Sequence, residues 1–252
     1  MLIDTHCHLT DQTMAGDNLD AVLGRAHAAG IGTIICPTAN PADIGPTLKI
    51  AETHDNIWCT VGIHPEYAGA NAKNILTQAV LSHPRVVGVG EIGLDYHSGD
   101  DDRMAQIELF ETQLALARAA GLPVAVHTRD AERDTADILH NVRGVMHCYT
   151  SSWNLAKTML DRGFFFSASG ILTFKNADDV RETFKKIPTS RIVIETDAPY
   201  CAPVPHRGKS CEPFMVADTA RALADIKNLQ IDILSDILME NTKNLYPKCH
   251  VK

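Results

Sequence analysis

The sequence predicts a single (β/α)8 barrel, an α/β TIM-barrel fold in which eight parallel strands alternate with helices. Short β-branched runs alternate with longer amphipathic stretches along the whole chain, and eight such runs can be counted. The length of 252 residues suits one barrel of about 250 residues. A doubly wound open sheet is the alternative fold, but no GxGxxG sequence follows the first strand.

The predicted elements follow one another in regular order. The strands span residues 2–4, 31–36, 57–61, 86–91, 123–127, 144–147, 164–168 and 192–196. Helical composition is found in segments that include 17–29, 71–81, 102–120, 131–140, 152–161, 213–229 and 231–245. Because no internal repeat, low-complexity tract or linker-like segment interrupts this order, we expect residues 1–252 to form one domain.

Charge and cysteine content narrow the class of protein. The chain has 31 acidic and 23 basic residues, a formal charge of −8, which disfavours a broad phosphate-binding surface but allows a small positive pocket. Its seven cysteines are scattered and form no CxxC pair, which is typical of reduced thiols. The first residues contain neither a secretion signal nor a membrane anchor. We therefore expect a cytoplasmic protein with no membrane contact and no obligate protein partner.

Histidines are concentrated where the predicted strands end. His6 and His8 follow the first strand, and the alternation of side chains puts both imidazoles on one face. His64, His127 and His147 end the third, fifth and sixth strands. Since the carboxyl ends of barrel strands form one rim, these side chains are expected to meet there.

Two carboxylates are expected at the same rim. Glu91 ends the fourth strand, and Asp197 follows the eighth. Imidazoles and carboxylates together suit a hydrolytic site for zinc, manganese or a similar divalent cation. A carboxylate has two oxygens, so Glu91 could bridge a pair of ions, and Asp197 could both bind a cation and accept a proton from the attacking water.

Basic residues near this rim could bind substrate phosphates. Arg129 lies two residues after His127, on the same strand face if the strand continues. Arg207 lies in a proline-rich segment directly after the eighth strand, where barrel enzymes build active-site loops. The alternative for each is a solvated surface charge.

Other hydrolytic chemistries find less support. The chain contains no GxSxG elbow and no P-loop. Cys7 and Cys148 each lie beside a predicted ligand in the sequence, so alternation turns them away from the barrel interior. We interpret both as small apolar packing residues.

Six ordered motifs resemble the TatD family of metal-dependent deoxyribonucleases. They are DTHCHL at 4–9, GIHP at 62–65, GEIGLDY at 90–96, HTRD at 127–130, HCYT at 147–150 and ETDAPY at 195–200. The segment APVPHRGK at 202–209 is also similar to the family's loop after the eighth strand. Cys211 and His97 depart from the usual pattern, on loops that we expect to border the pocket.

The resemblance implies an amidohydrolase-like barrel with two divalent cations, Mg²⁺ or Mn²⁺ for activity and Zn²⁺ as a further candidate. It implies one ion among His6, His8, Glu91 and Asp197, and a second among Glu91, His127 and His147. The implied reaction is hydrolysis of DNA phosphodiesters, favouring 3′-to-5′ exonuclease action on ends or single strands. Glu91 and Asp197 are then the catalytic residues, and the substrate-binding candidates are His64, Arg129, His206 and Arg207.

Two alternatives remain open at this point. The same activated water could hydrolyse an ester or amide, as in a D-aminoacyl-tRNA deacylase. The chain could also be a metal-occupied binding protein without turnover, although its intact ligand set argues against this.

Overall fold

Eight parallel strands pair in the order of the sequence. The structure, a computed structural model, describes residues 1–15, 18–97 and 102–250. The strands are β1 (Leu2–Asp4), β2 (Ile31–Pro37), β3 (Ile57–Thr60), β4 (Val86–Asp95), β5 (Val124–Arg129), β6 (Gly144–Met146), β7 (Phe165–Ala168) and β8 (Ile192–Ile194). The predicted barrel is therefore confirmed.

Contacts between β8 and β1 complete the barrel. The Thr5 amide donates a hydrogen bond of 3.0 Å to the Ile194 carbonyl. The buried Asp4 carboxylate accepts hydrogen bonds from the Thr196 hydroxyl at 2.6 Å and from the Thr196 amide at 2.9 Å. These short links hold the last strand beside the first, so the carboxyl ends of all eight strands meet at one rim.

Helices follow the strands and cover the outside of the barrel. In the described ranges they are α1 (Leu19–Ala28), α2 (Ile44–Thr53), α3 (Ala72–Ile75), α4 (Gln78–Leu81), α5 (Arg103–Ala120), α6 (Glu132–Ile138), α7 (Trp153–Asp161), α8 (Asp178–Lys186), α9 (Val216–Lys227) and α10 (Ile231–Leu245). None of the helices in these ranges combines the length and the apolar composition that crossing a bilayer needs.

Two predicted helices differ in detail from the structure. The predicted segment 71–81 forms two one-turn helices, because Asn71 and Thr77 each accept a hydrogen bond as a separate N-cap. The start of the predicted segment 17–29, at residue 17, lies outside the described residues. Asp102 caps α5 through the amides of Met104 and Ala105.

Several strands end at other residues than predicted. β4 and β5 continue past the predicted ends because their ladder extends to the pair of Asp95 and Arg129. β6 and β8 end earlier, at Met146 and Ile194, so their chemistry-bearing residues lie in the loops that follow.

Alternate residues of each strand pack in two separate layers. Val124 and Val126 of β5 belong to the outer core against the helices, whereas Ala125 belongs to an inner cluster. This inner cluster also contains residues from six other strands and from the end of the chain: Ile35, Trp58, Val87, Val145, Phe165, Val193, Leu245, Tyr246 and Cys249. It lies toward the amino ends of the strands, so this half of the barrel interior is apolar and filled.

A substitution at Gly144 tests how closely neighbouring strands of the barrel pack. It pairs with Val124, and a Cβ at this position would lie 2.2 Å from the Val124 carbonyl oxygen. We expect Gly144→Ala to lower the free energy of unfolding by about 1–3 kcal/mol, measured by urea denaturation. The control is Gly24→Ala in the exposed part of α1, where the added Cβ meets nothing within 4 Å. This control should gain roughly 0.5–1 kcal/mol; equal stability of the two variants would contradict the prediction.

Candidate metal centre

The buried carboxylate of Glu91 stands between two pairs of histidines. Its Oε2 lies 3.4 Å from His6 Nε2 and 3.7 Å from His8 Nε2. Its Oε1 lies 3.0 Å from His127 Nδ1 and 3.1 Å from His147 Nε2. The two oxygens of one carboxylate thus face two different donor groups, which is the arrangement of a bridging ligand.

The first donor group, formed by His6, His8 and Glu91 Oε2, also includes Asp197. Its Oδ1 lies 3.8 Å from His6 Nε2 and 3.7 Å from His8 Nε2, and the two imidazole nitrogens lie 3.3 Å apart. A tetrahedral ion with ligand distances of about 2.0–2.2 Å needs donors about 3.3–3.6 Å apart. The separations of 3.3–3.8 Å between these atoms approach this range, so His6, His8, Glu91 and Asp197 are candidate ligands of one divalent cation.

The second donor group is formed by His127, His147 and Glu91 Oε1. A third imidazole, that of His64, lies beside it. His64 Nε2 lies 3.7 Å from Glu91 Oε1, and the His64 ring contacts the His127 ring edge to face at 4.7 Å. Burial lowers the pKa of His64 to about 4, so the ring is neutral near pH 7. His64, expected to bind substrate, therefore lies against the bridging carboxylate, where a neutral imidazole could serve as a further ligand.

At this site the opposite charges of the carboxylates and the histidines offset the effect of burial on the pKa of each group. Burial raises the pKa of Glu91, but the charge of His147 and the hydrogen bonds from His127 and His147 lower it well below its usual range. Burial lowers the pKa of His147, but Glu195 and Glu91 raise it well above its usual range. The carboxylate is thus ionised and ready to bind a cation.

Two further carboxylates orient the histidines of the second donor group. Asp95 Oδ2 lies 3.0 Å from His127 Nε2, and Glu195 Oε1 lies 2.9 Å from His147 Nδ1. Carboxylates in this position fix the ring orientation of metal-binding histidines and raise their basicity. Sequence reasoning assigned neither residue this role, although Glu195 precedes Asp197 by the two residues that put side chains on one strand face.

A glycine permits the close approach of β4 to β5 at this site. Gly93 has a φ of +146°, and a Cβ there would lie 1.9 Å from the His127 carbonyl oxygen. Only glycine can therefore occupy this position without moving His127. On β5, Ala125 belongs to the apolar inner cluster, and His127, two residues later, belongs to the second donor group.

The donor groups form the floor of a cavity of about 820 Å³. Arg129 lies exposed at its edge, on the end of β5, as the sequence predicted. Tyr200 also lines the cavity, and 60% of its surface is exposed. Such a space can hold a substrate much larger than water directly over Glu91 and Asp197.

One cysteine does not point where the sequence predicted. Cys7 is buried in the outer core, as predicted. Cys148 instead lines the cavity, because β6 ends at Met146 and Cys148 adopts a left-handed φ of +39° that breaks the alternation of the strand. The prediction that Cys148 faces away from the interior was therefore wrong.

His206 and Arg207 of the proline-rich segment do not line the cavity. His206 Nε2 lies 3.2 Å from Asp218 Oδ2 on α9. The Arg207 guanidinium lies 3.7 Å from the centre of the Phe174 ring and donates a hydrogen bond to the Ala202 carbonyl. Both side chains are thus held against the protein, and their role as substrate ligands stays a prediction.

Neither departure from the family pattern borders the cavity. Cys211 is fully buried in the outer core. His97 is exposed, and its Nδ1 lies 2.9 Å from Asp130 Oδ2. The loop that carries Cys211 does border the cavity, through Tyr200 and Cys201, but neither Cys211 nor His97 lines it.

Comparisons with known proteins agree with the fold and identify a family. A family model described as TatD related DNase matches residues 3–247. A Bacillus subtilis protein described as an uncharacterized metal-dependent hydrolase, YabD, is 36% identical, with 98% of this chain and 99% of the relative covered. An Escherichia coli protein with the same description, YcfH, is 34% identical, with 97% of this chain and 95% of the relative covered. The crystal structure of YjjV, a TatD homologue from E. coli, has a TM-score of 0.91 at 30% identity, covering 98% of each chain.

The barrel and its cluster of histidines and carboxylates define the class of protein as a metal-dependent hydrolase. The match of the family model over almost the whole chain is more specific. The chain belongs to the TatD family.

The proton affinity of His127 makes cation binding depend on pH. Burial lowers the pKa of His127, but the hydrogen bonds to Asp95 and Glu91 raise it to about 9 from the usual 6.5. A cation binds the unprotonated ring, so it must displace this proton at any pH below about 9. We expect the affinity for Mn²⁺, measured by titration calorimetry, to rise continuously from about pH 7 to about pH 9.

Asp95→Asn removes the main cause of the raised pKa and should return it toward 6.5. Its affinity is therefore expected to rise less steeply over the same interval, and the remaining rise comes from His147, whose pKa Glu195 and Glu91 also raise. The control is Asp130→Asn, which removes the carboxylate of the surface pair with His97. An equally steep rise for Asp95→Asn and wild type would contradict the prediction.

Proposed function

We propose that this chain is a divalent-metal-dependent deoxyribonuclease that removes nucleotides from the 3′ ends of DNA. The observation that supports this most directly is the bridging position of Glu91, between two donor groups on the floor of an open cavity. The description of the matching family as a DNase supports the choice of a phosphodiester substrate. Mg²⁺ or Mn²⁺ is the proposed cation, with Zn²⁺ as a further candidate.

Different residues of the chain have different roles in the proposed reaction. His6, His8, Glu91 and Asp197 would hold one cation, and His127 and His147 with Glu91 the other. When bound, the cations supply counter-charge for the phosphate and lower the pKa of water. Asp197, whose Oδ1 faces His6 and His8, would accept the proton of the attacking water.

Arg129 is the proposed phosphate ligand at the cavity edge. A guanidinium can donate two parallel hydrogen bonds to a phosphate. Its charge also contributes to the low pKa of Asp95, which hydrogen bonds lower to about 2 against the opposing effect of burial. The positive charge is therefore local, within a chain whose formal charge is −8. This arrangement favours DNA ends or single strands over long duplexes, because few phosphates can be contacted at once.

We also propose the cytoplasm as the location of the protein. The seven cysteines are all free in the structure, which suits a reducing compartment.

The proposed function is tested by a time course with DNA oligonucleotides labelled at the 3′ or the 5′ end. In Mg²⁺ or Mn²⁺, wild type should release the 3′ label early and leave a ladder of 5′-labelled products. Glu91→Ala should lower the rate at least about a hundredfold and lose both cations in metal analysis, because both donor groups share this residue. A chelator should have the same effect on the rate.

The matched control is Glu66→Ala, which removes a carboxylate that lines the same cavity but lies 3.9 Å from His64 and is 58% exposed. This variant should keep both cations and most of its activity. If wild type and Glu91→Ala released the labels equally slowly while differing in metal content, the nuclease proposal would fall. The ester or amide hydrolase would then be tested with D-aminoacyl-tRNA.

Arg129→Ala tests the phosphate contact. Loss of hydrogen bonds to a charged group should lower kcat/KM for a single-stranded oligonucleotide by about 10- to 100-fold. Arg133→Ala is the control, because this residue is 93% exposed and does not line the cavity. Equal kinetic constants for the two variants would argue against a role of Arg129 in substrate binding.

A further inference from the structure

Two cysteines and a carboxylate meet on the wall of the cavity. Cys148 follows β6, Asp197 follows β8, and Cys201 lies four residues further along the chain. One donor atom from each residue lies within 4.8 Å of the other two. All three residues line the cavity and are partly exposed, so solutes can reach them. We call Cys148, Asp197 and Cys201 the thiol cluster.

Asp197 connects the thiol cluster to the first donor group. Its Oδ1 faces His6 and His8 at 3.8 Å and 3.7 Å, while its Oδ2 lies 3.7 Å from Cys201 Sγ. Each oxygen of this carboxylate thus faces a different set of donors. The geometry repeats that of Glu91, whose two oxygens face the two histidine pairs.

The backbone holds all three side chains of the cluster in unusual directions. Cys148, Asp197 and Cys201 have φ angles of +39°, +58° and +54°, in the left-handed region. For residues other than glycine this conformation is uncommon and is concentrated at functional sites. At Cys148 the left-handed backbone accompanies a thiol that lines the cavity.

The chemistry of these donors differs from that of the histidine groups. Thiolates are soft ligands that select zinc-like cations over Mg²⁺. A zinc–sulfur distance of about 2.3 Å requires sulfurs about 3.8 Å apart in a tetrahedral site, which the observed limit of 4.8 Å between the donor atoms allows. Ser169 Oγ lies 3.2 Å from Cys148 Sγ and supplies a further polar atom beside the cluster.

We propose that the thiol cluster is a third cation position, in which Cys148, Cys201 and Asp197 bind a thiophilic divalent ion such as Zn²⁺ or Cd²⁺. Binding replaces the two thiol protons, which pass to solvent, by two metal–sulfur bonds, and no oxidant is involved. Asp197 would then bridge the third position and the first.

Cadmium alone is the probe for this site. In excess Mg²⁺, Cd²⁺ added to the purified protein should produce the ultraviolet charge-transfer band of thiolate-bound cadmium. Histidine and carboxylate ligands do not produce this band, so the result is independent of nuclease activity. Cys148→Ala and Cys201→Ala should each weaken the apparent Cd²⁺ affinity at least about tenfold, and the double variant should lose the band. The control is Cys249→Ala, which removes a thiol of the inner cluster at the other end of the barrel and should keep the band.

A second measurement uses wild type only and does not depend on the folding of any variant. The protein is alkylated with iodoacetamide with and without Cd²⁺, and the modified cysteines are identified by mass spectrometry. Cd²⁺ should protect both Cys148 and Cys201. The proposal is wrong if wild type gives no band, if the double variant keeps it, or if Cd²⁺ leaves the alkylation of both residues unchanged.

Discussion

A buried carboxylate surrounded by histidines is the interaction on which the rest of the site depends. Burial opposes the charge of Glu91, and only the neighbouring imidazoles keep its pKa low. In the protein alone, protons on His127 and His147 balance this negative charge, since both rings have raised pKa values. Divalent cations would replace these protons, so the site is arranged for positive charge. Asp95 and Glu195 hold the two rings in place and are therefore part of the same electrostatic unit.

Along the strands, the apolar residues that stabilise the barrel are separated from the donor residues at the carboxyl ends. Ala125 and Val145 belong to the apolar inner cluster, and the residues two positions later are His127 and His147. The side chains at the end of the polypeptide, including Tyr246, pack into the same apolar half of the interior. The polar half is thus supported from below by a buried apolar cluster. A metal site needs such rigid support, because small displacements of the donors weaken cation binding.

Asp197 connects more groups than any sequence motif indicates. It follows β8, contacts the first histidine pair through one oxygen and approaches Cys201 through the other. Its amide also donates a hydrogen bond to the His6 carbonyl, in the region where β8 meets β1. Closure of the barrel and geometry of the site are therefore coupled at this residue, and a change in one is transmitted to the other.

The sequence by itself determined the barrel and predicted most of the candidate donors. Strand periodicity and the position of His6, His8, Glu91 and Asp197 at strand ends suffice, because the carboxyl ends of barrel strands always meet. Only the tertiary structure decided where side chains point after a strand has ended. Cys148 turned into the cavity, His206 turned to Asp218, and Arg207 stacked on Phe174. In loops no alternation rule applies, and direction follows from the backbone conformation and from partners distant in the sequence.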